Sequence, residues 1–198
     1  MRKTHDERRR EIVRKAEKII ASSGIESLTM NRLAHEVGIT DAAIYRHFKS
    51  KEDILAAVLD DFSAPLQMVQ KTIIDSPRPV LERLGDIFVE KSVRLFRHPE
   101  QTLIMRSLVE FRGNRRLSQD AARMIGRYRT RMLSLIREGQ RRGEIISSVG
   151  ASHLYFLIVG SLHLLVQEWA VNRRAFDLQR QAKSLWKSLK VILTSSTT

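Results

Sequence analysis

Apolar side chains recur at helical spacing along almost the whole chain. Ile12, Ala16, Ile19 and Ile20 fall at i, i+4, i+7 and i+8, one stripe of a first helix that Ser22-Ser23-Gly24 ends. Thr29 is placed to cap a second helix carrying Leu33, Ala34 and Val37, and Gly38 stops it. Thr40 or Asp41 caps a short third helix running through Phe48. Ser50, with Asp53 three residues on, starts a fourth, whose stripe is Ile54, Leu55, Val58, Leu59 and Phe62. Pro65 either kinks or ends that helix, or sits in a longer bent one. The pattern then repeats over Leu81 to Leu95, and over Leu103 to Phe111 with Pro99 in the first turn. It continues from near Ser118 through Ile125, Tyr128, Met132, Leu135 and Ile136, then over about Gly150 to Asn172. A last stripe is Leu178, Ala182, Leu185, Leu189 and Ile192. No run alternates over strand length, so the pattern predicts an all-α chain of about nine helices. Residues 1–52 make a three-helix helix-turn-helix domain, with the helix from residue 50 as the link. Residues 53–198 make a second helical domain.

Composition narrows the chemistry. The 198 residues are 42% hydrophobic and 29% charged, enough apolar surface to bury a core. There is no cysteine, which excludes disulfides, thiolate metal sites and cysteine nucleophiles and fits a reducing, cytoplasmic setting. Met1 to Arg10 is charged and does not read as a secretory signal. From Ile145 to Gln167 no side chain carries a formal charge, but Ser147, Ser148, Gly150, Ser152, Gly160 and Ser161 interrupt the run. Its apolar parts have core-helix length, so no membrane partner is expected. Enzyme chemistry finds little support. There is no glycine-rich phosphate loop, and His35-Glu36 lacks its second zinc ligand because Ile39 stands there. His153 and His163 do not share a face, and no metal or cofactor is expected.

The net charge is +13, which favours anionic partners. Residues 106–142 hold eleven arginines against three acids, a pattern that a solvated helix face explains more simply than a site. The sharper feature is Met30 to Lys49, MNRLAHEVGITDAAIYRHFK. Ala34 is small enough for two helices to cross closely, Gly38 gives the turn its freedom, and Ile44 points back toward Leu33, Val37 and Ile39. This is helix-turn-helix spacing. Tyr45, His47, Lys49 and Lys51 are then within reach of phosphates, while Thr40, Asp41, Ala42 and Arg46 lie on the groove-facing side. Asp41 either accepts from a cytosine amino group, caps the helix, or repels phosphate.

Residues 8 to 62 resemble the DNA-binding domain of the TetR family of bacterial transcriptional regulators. The resemblance rests on Ile12 to Gly24, Leu28-Thr29-Met30, Leu33-Ala34 and Val37-Gly38-Ile39, and is strongest in Ala43 to Glu52, AIYRHFKSKE. It implies a homodimer on a palindromic operator in double-stranded DNA, with a C-terminal domain that senses a small molecule. By position it implies that Thr29, Tyr45, His47 and Lys51 hold the backbone, while Thr40, Asp41, Ala42 and Arg46 face bases. A ligand-released repressor is the reading that follows. The alternative is a DNA-organising or cell-division regulator with the same fold.

The last two helices are the expected dimer interface. Leu162, Val166 and Trp169 of one would join Leu178, Ala182, Leu185 and Leu189 of the other in a four-helix bundle across a two-fold axis. Met105, Phe111, Met124, Tyr128, Phe156 and His163 lie on the helices that surround the effector pocket in the resembling family. The nearby arginines point to an anionic amphiphile, an acyl thioester or carboxylate, as effector.

Overall fold

Thr4 opens the first helix of the computed structural model, which describes residues 3–98, 115–172 and 175–194. Its hydroxyl accepts from the Glu7 amide while the Glu7 carboxylate accepts from the Thr4 amide, a reciprocal capping box. Helix α1 (His5–Ser23) is followed by a 3-10 turn (Ile25–Ser27), α2 (Met30–Val37), α3 (Asp41–Tyr45) and α4 (Lys51–Ile74). Then come α5 (Val80–Arg97), α6 (Arg115–Arg141), α7 (Ala151–Val171) and α8 (Leu178–Thr194). Among the described residues there are eight α-helices, one 3-10 turn and no strand, as the periodicity predicts. The further helix expected through Leu103 to Phe111 lies outside the described residues.

The contacts divide the chain into two units, Met1–Pro65 with Glu100–Met124, and Leu66–Pro99 with Ile125–Thr198. In the first, Ile12, Ala16, Leu33, Ala34, Ile44 and Phe48 form one buried cluster. Ile54, Leu55, Val58 and Leu59 join the same cluster, although they lie beyond the 52/53 boundary expected from the sequence. The early part of α4 therefore completes the helix-turn-helix core. Pro65 does not end the helix, and α4 continues to Ile74. A proline in a helix forfeits one backbone hydrogen bond.

In the second unit α5 packs on α7 and α8, and α7 packs on α8. Helix α5 starts after Pro79 with no side-chain cap of its own. Glu144 supplies one from a distance: its Oε2 accepts from the Val80 amide at 2.5 Å and the Leu81 amide at 3.4 Å. The buried Arg83 donates to the Ile74 carbonyl at 2.7 Å and to Glu138 at 2.5 Å. Two expected core positions sit differently. Ile125 is exposed, and at the end of α8 the inward residue is Leu193 rather than Ile192. The inward face of α8 reads 178, 182, 189, 193, an i, i+4, i+11, i+15 row, which a 3.6-residue period carries one position past Ile192.

Candidate nucleic-acid interface and a buried polar cluster

The α2–α3 crossing is set by a few residues. Gly38 takes the left-handed conformation, φ 73° and ψ 39°, and the Ile39 amide then bonds to the Ala34 carbonyl at 3.0 Å. Thr40 caps α3 by accepting from the Ala43 amide at 3.3 Å. The side chain of Asp41 does not cap. It accepts from the Asn31 amide nitrogen at 3.1 Å and ties the recognition segment to α2. Helix α3 ends at Tyr45 rather than at Phe48, although the Phe48 amide still bonds to the Ile44 carbonyl at 3.0 Å.

Ile44 and Phe48 turn inward and are buried, which leaves Thr40, Asp41, Ala42, Tyr45 and Arg46 exposed on the outer side. Thr29, also exposed, accepts from the Arg32 amide at 3.1 Å, so its hydroxyl proton remains available to an outside acceptor. Lys51 is half-buried in the first turn of α4, where Ser50 accepts from the Asp53 amide. Arg46, Lys49 and Lys51 form no ion pair among the described residues, so the face is a cationic, donor-rich surface.

His47 is more enclosed than expected. Its ring stacks 4.5 Å from that of His5. Burial holds its pKa below the usual 6.5, with His5, Arg8, Arg46 and Arg9 adding to the effect, so near neutrality the ring is uncharged. Arg9 belongs to the basic side of α1, with Arg8, Arg10, Arg14, Lys15 and Lys18. Its guanidinium donates to the His47 carbonyl at 3.0 Å and lies 4.1 Å over the Phe48 ring, bracing the end of α3 against α1.

The expected dimer residues sit elsewhere than anticipated. Leu162, Val166, Trp169, Leu178, Ala182 and Leu189 are already buried within the single subunit, and Leu185 is half-buried. They form the α5–α7–α8 core and have little surface left for a partner. The apolar side chains exposed on the same two helices are Phe156, Leu157, Leu164, Val171, Val191 and Ile192. Leu157, Leu164 and Val171 are spaced by seven and make one line along α7. That helix is long and apolar enough to cross a membrane, and its opposite face is the core just described.

Of the expected effector residues, Met105 and Phe111 lie outside the described residues, and Met124 is half-buried in the first unit. Phe156 is 61% exposed and packs edge-on to Tyr155 with ring centres 5.5 Å apart, so it lines no interior. Tyr128 and His163 do come together, around a residue the sequence reading passed over. Lys91 of α5 is buried, with Nζ 3.1 Å from His163 Nε2 and 4.8 Å from the centre of the Tyr128 ring. Burial lowers the Lys91 pKa to about 8 and, with Lys91 beside it, that of His163 to about 4. Burial, then Tyr155, pushes the Tyr128 phenol far up. A signal for Lys91 was available, since it stands at i+7 from Leu84 on the buried stripe of α5. Among the described residues no three His, Asp or Glu side chains are grouped to hold a metal ion.

Comparison with known proteins agrees with this layout. Residues 12–58 match the family profile of bacterial regulatory proteins, tetR family, and residues 67–192 match that of YsiA-like protein, C-terminal region. The chain is 24% identical over 179 residues to the fatty acid metabolism regulator protein of Bacillus subtilis, covering 90% of this chain and 92% of that one. It is 27% identical over 165 residues to the nucleoid occlusion factor SlmA of Vibrio vulnificus, covering 81% and 84%. The crystal structure of the transcriptional regulator FadR from Bacillus subtilis in complex with stearoyl-CoA superposes with a TM-score of 0.76 at 23% identity, covering 91% and 96%.

Proposed function

The chain belongs to the tetR family of bacterial regulatory proteins, and from that premise we propose an effector-released repressor that binds a palindromic operator as a homodimer. The observation that carries the DNA-binding part is the two-sidedness of α3: Ile44 and Phe48 anchor it, and Ala42, Tyr45 and Arg46 are left outside. Thr29, Tyr45 and Lys51 hold phosphates, with His47 as a neutral donor. Thr40, Ala42 and Arg46 face base edges. Asp41, engaged with Asn31, sets the orientation of α3 and leaves base reading to its neighbours.

The homodimer forms through the exposed apolar line of α7 with Val191 and Ile192 of α8, in place of the residues that serve the subunit core. The effector is an anionic amphiphile bound in the second unit, a reading supported by the stearoyl-CoA held by the similarly folded regulator. Binding there releases DNA, and the protein acts in the cytoplasm at the nucleoid.

Selection of genomic fragments by the purified chain, followed by footprinting, tests the regulator reading. A palindrome with half-sites about 34 Å apart is expected, and protection that ignores sequence overturns it. The likeness to SlmA supports a second reading, a nucleoid-organising factor. That reading requires many dispersed sites in the same selection rather than a single operator.

A further inference from the structure

Lys91 sits where the stripe of α5 calls for an apolar side chain, between Phe88 and Leu95, and only 6% of it remains exposed. Its neighbours are neutral. His163 accepts at Nε2, because an ammonium has protons to give and none to receive, so the imidazole proton sits on Nδ1. The Tyr128 ring offers its π-face. No carboxylate among the described residues lies within ion-pair distance of Nζ. A buried charge solvated in this way is unfavourable compared with a methionine or leucine at the same position. The arrangement makes sense if something with a negative charge arrives.

The surroundings define that partner. Lys91 is closed in on the α5 side, whereas His163, although enclosed enough around its ring to lower its pKa, still presents part of its surface on α7, so the cluster is reached from that side. One ammonium balances one negative charge. Among the described residues no second cation pairs or hydrogen-bonds with Lys91, His163 or Tyr128, and the further charge of Arg129 acts on Tyr155 rather than on the ammonium. This head-group site therefore balances a single carboxylate better than a diphosphate. Lys91 shares the buried face of α5 with Phe88 and Leu95, and the Tyr128 ring lies beside its ammonium, an apolar setting that suits a hydrocarbon body. We propose that Lys91 is the internal anchor for the carboxylate of an apolar carboxylic acid, with His163 and Tyr128 forming the walls of the head-group site. This rests on the effector-released reading above and specifies its ligand: the free acid, held by its carboxylate end.

Isothermal titration of the full chain and its Lys91→Met and Lys91→Gln variants tests the anchor, with laurate, methyl laurate and lauroyl-CoA as probes. Laurate is expected to bind the wild type and to lose roughly 10- to 100-fold in both variants, the worth of one charge-assisted hydrogen bond. Methyl laurate should bind more weakly than laurate to the wild type and be indifferent to the substitution. Unliganded Lys91→Met should melt at or above the wild-type temperature. The anchor is overturned if laurate binds the variants as it binds the wild type, if acid and ester are not distinguished, or if only lauroyl-CoA binds and does so independently of Lys91. Fragment selection on the same wild-type preparation separates the two readings. A chain that selects DNA but ignores laurate loses the anchor alone. One that binds laurate through Lys91 and selects no DNA loses the regulator reading alone.

Discussion

The indole of Trp186 lies directly on the backbone of Gly85: a Cβ added to that glycine would stand 2.4 Å from Nε1 and 2.8 Å from Cε2. The same indole is 5.5 Å from the Phe88 ring, so α5 and α8 are joined through one aromatic side chain resting on a bare stretch of helix. Glycine in a helix interior is unfavourable against alanine by about 1 kcal/mol on propensity alone, and here the packing reverses that preference.

Gly85→Ala should therefore destabilise the second unit by about 1–3 kcal/mol, the cost of forcing a large side chain off its rotamer. Calorimetry should show this as a lowered melting temperature, by about 2–4 °C per kcal/mol for a chain of this size. Trp186→Phe combined with Gly85→Ala should recover part of the loss, whereas simple additivity of the two changes would mean that they do not meet.

A second link in the same unit responds to pH. Arg83 is buried and pairs with Glu138, whose pKa is held below the usual 4.5 first by the hydrogen bond from Arg83 and then by the charges of Arg83, Arg142 and Arg141. A carboxylate with a lowered folded-state pKa contributes stability that is fully present above 4.5 and is lost as pH falls through the folded value. Glu138→Gln should cost about 3 kcal/mol at neutral pH, because it leaves a buried guanidinium unpaired. Urea titrations of the two proteins should converge as the pH is lowered below 4.5, and a gap that stays constant would place the effect outside this pair.

Much of this arrangement was legible in residue order. Stripes at helical spacing located the helices, and the Ala34–Gly38–Ile44 spacing located the crossing, because both depend on neighbours a few residues apart. What was not legible depends on partners far along the chain. Glu144 capping α5, Arg9 bracing the end of α3 and Trp186 on Gly85 join residues tens of positions apart. An apolar seam read from the sequence shows that a helix buries one face, but not whether the covering surface belongs to its own subunit. That is why Leu178, Ala182 and Leu189 read in the sequence as a seam for a partner, whereas in the structure they are buried within the subunit.

On the DNA face, phosphate-holding and base-reading residues should separate by the kind of loss they produce. Lys51→Ala should weaken binding to every fragment alike and lower the salt slope by about one. Arg46→Ala should cost about 1–3 kcal/mol on the selected operator and relax preference at one base position. Equilibrium binding over a salt series, on operator and scrambled duplexes, distinguishes them. Equal losses on both duplexes for Arg46→Ala would remove it from base reading.

The two faces of α7 make opposite predictions for the same kind of substitution. Leu164 is 58% exposed and stands on the line with Leu157 and Val171, whereas Leu162 is 2% exposed and faces the core. A carboxylate at position 164 stays in water in the lone subunit and is stranded only when a second copy covers it. Leu164→Asp should therefore keep the helical content and melting behaviour of a folded subunit, sediment as a monomer, and lose operator affinity, since one recognition helix must then bind without its twin. Leu162→Asp strands the same charge inside the subunit and should cost more than about 4 kcal/mol, enough to unfold the domain. Sedimentation with circular dichroism on the pair decides the matter: Leu164→Asp remaining dimeric would move the interface off this face of α7.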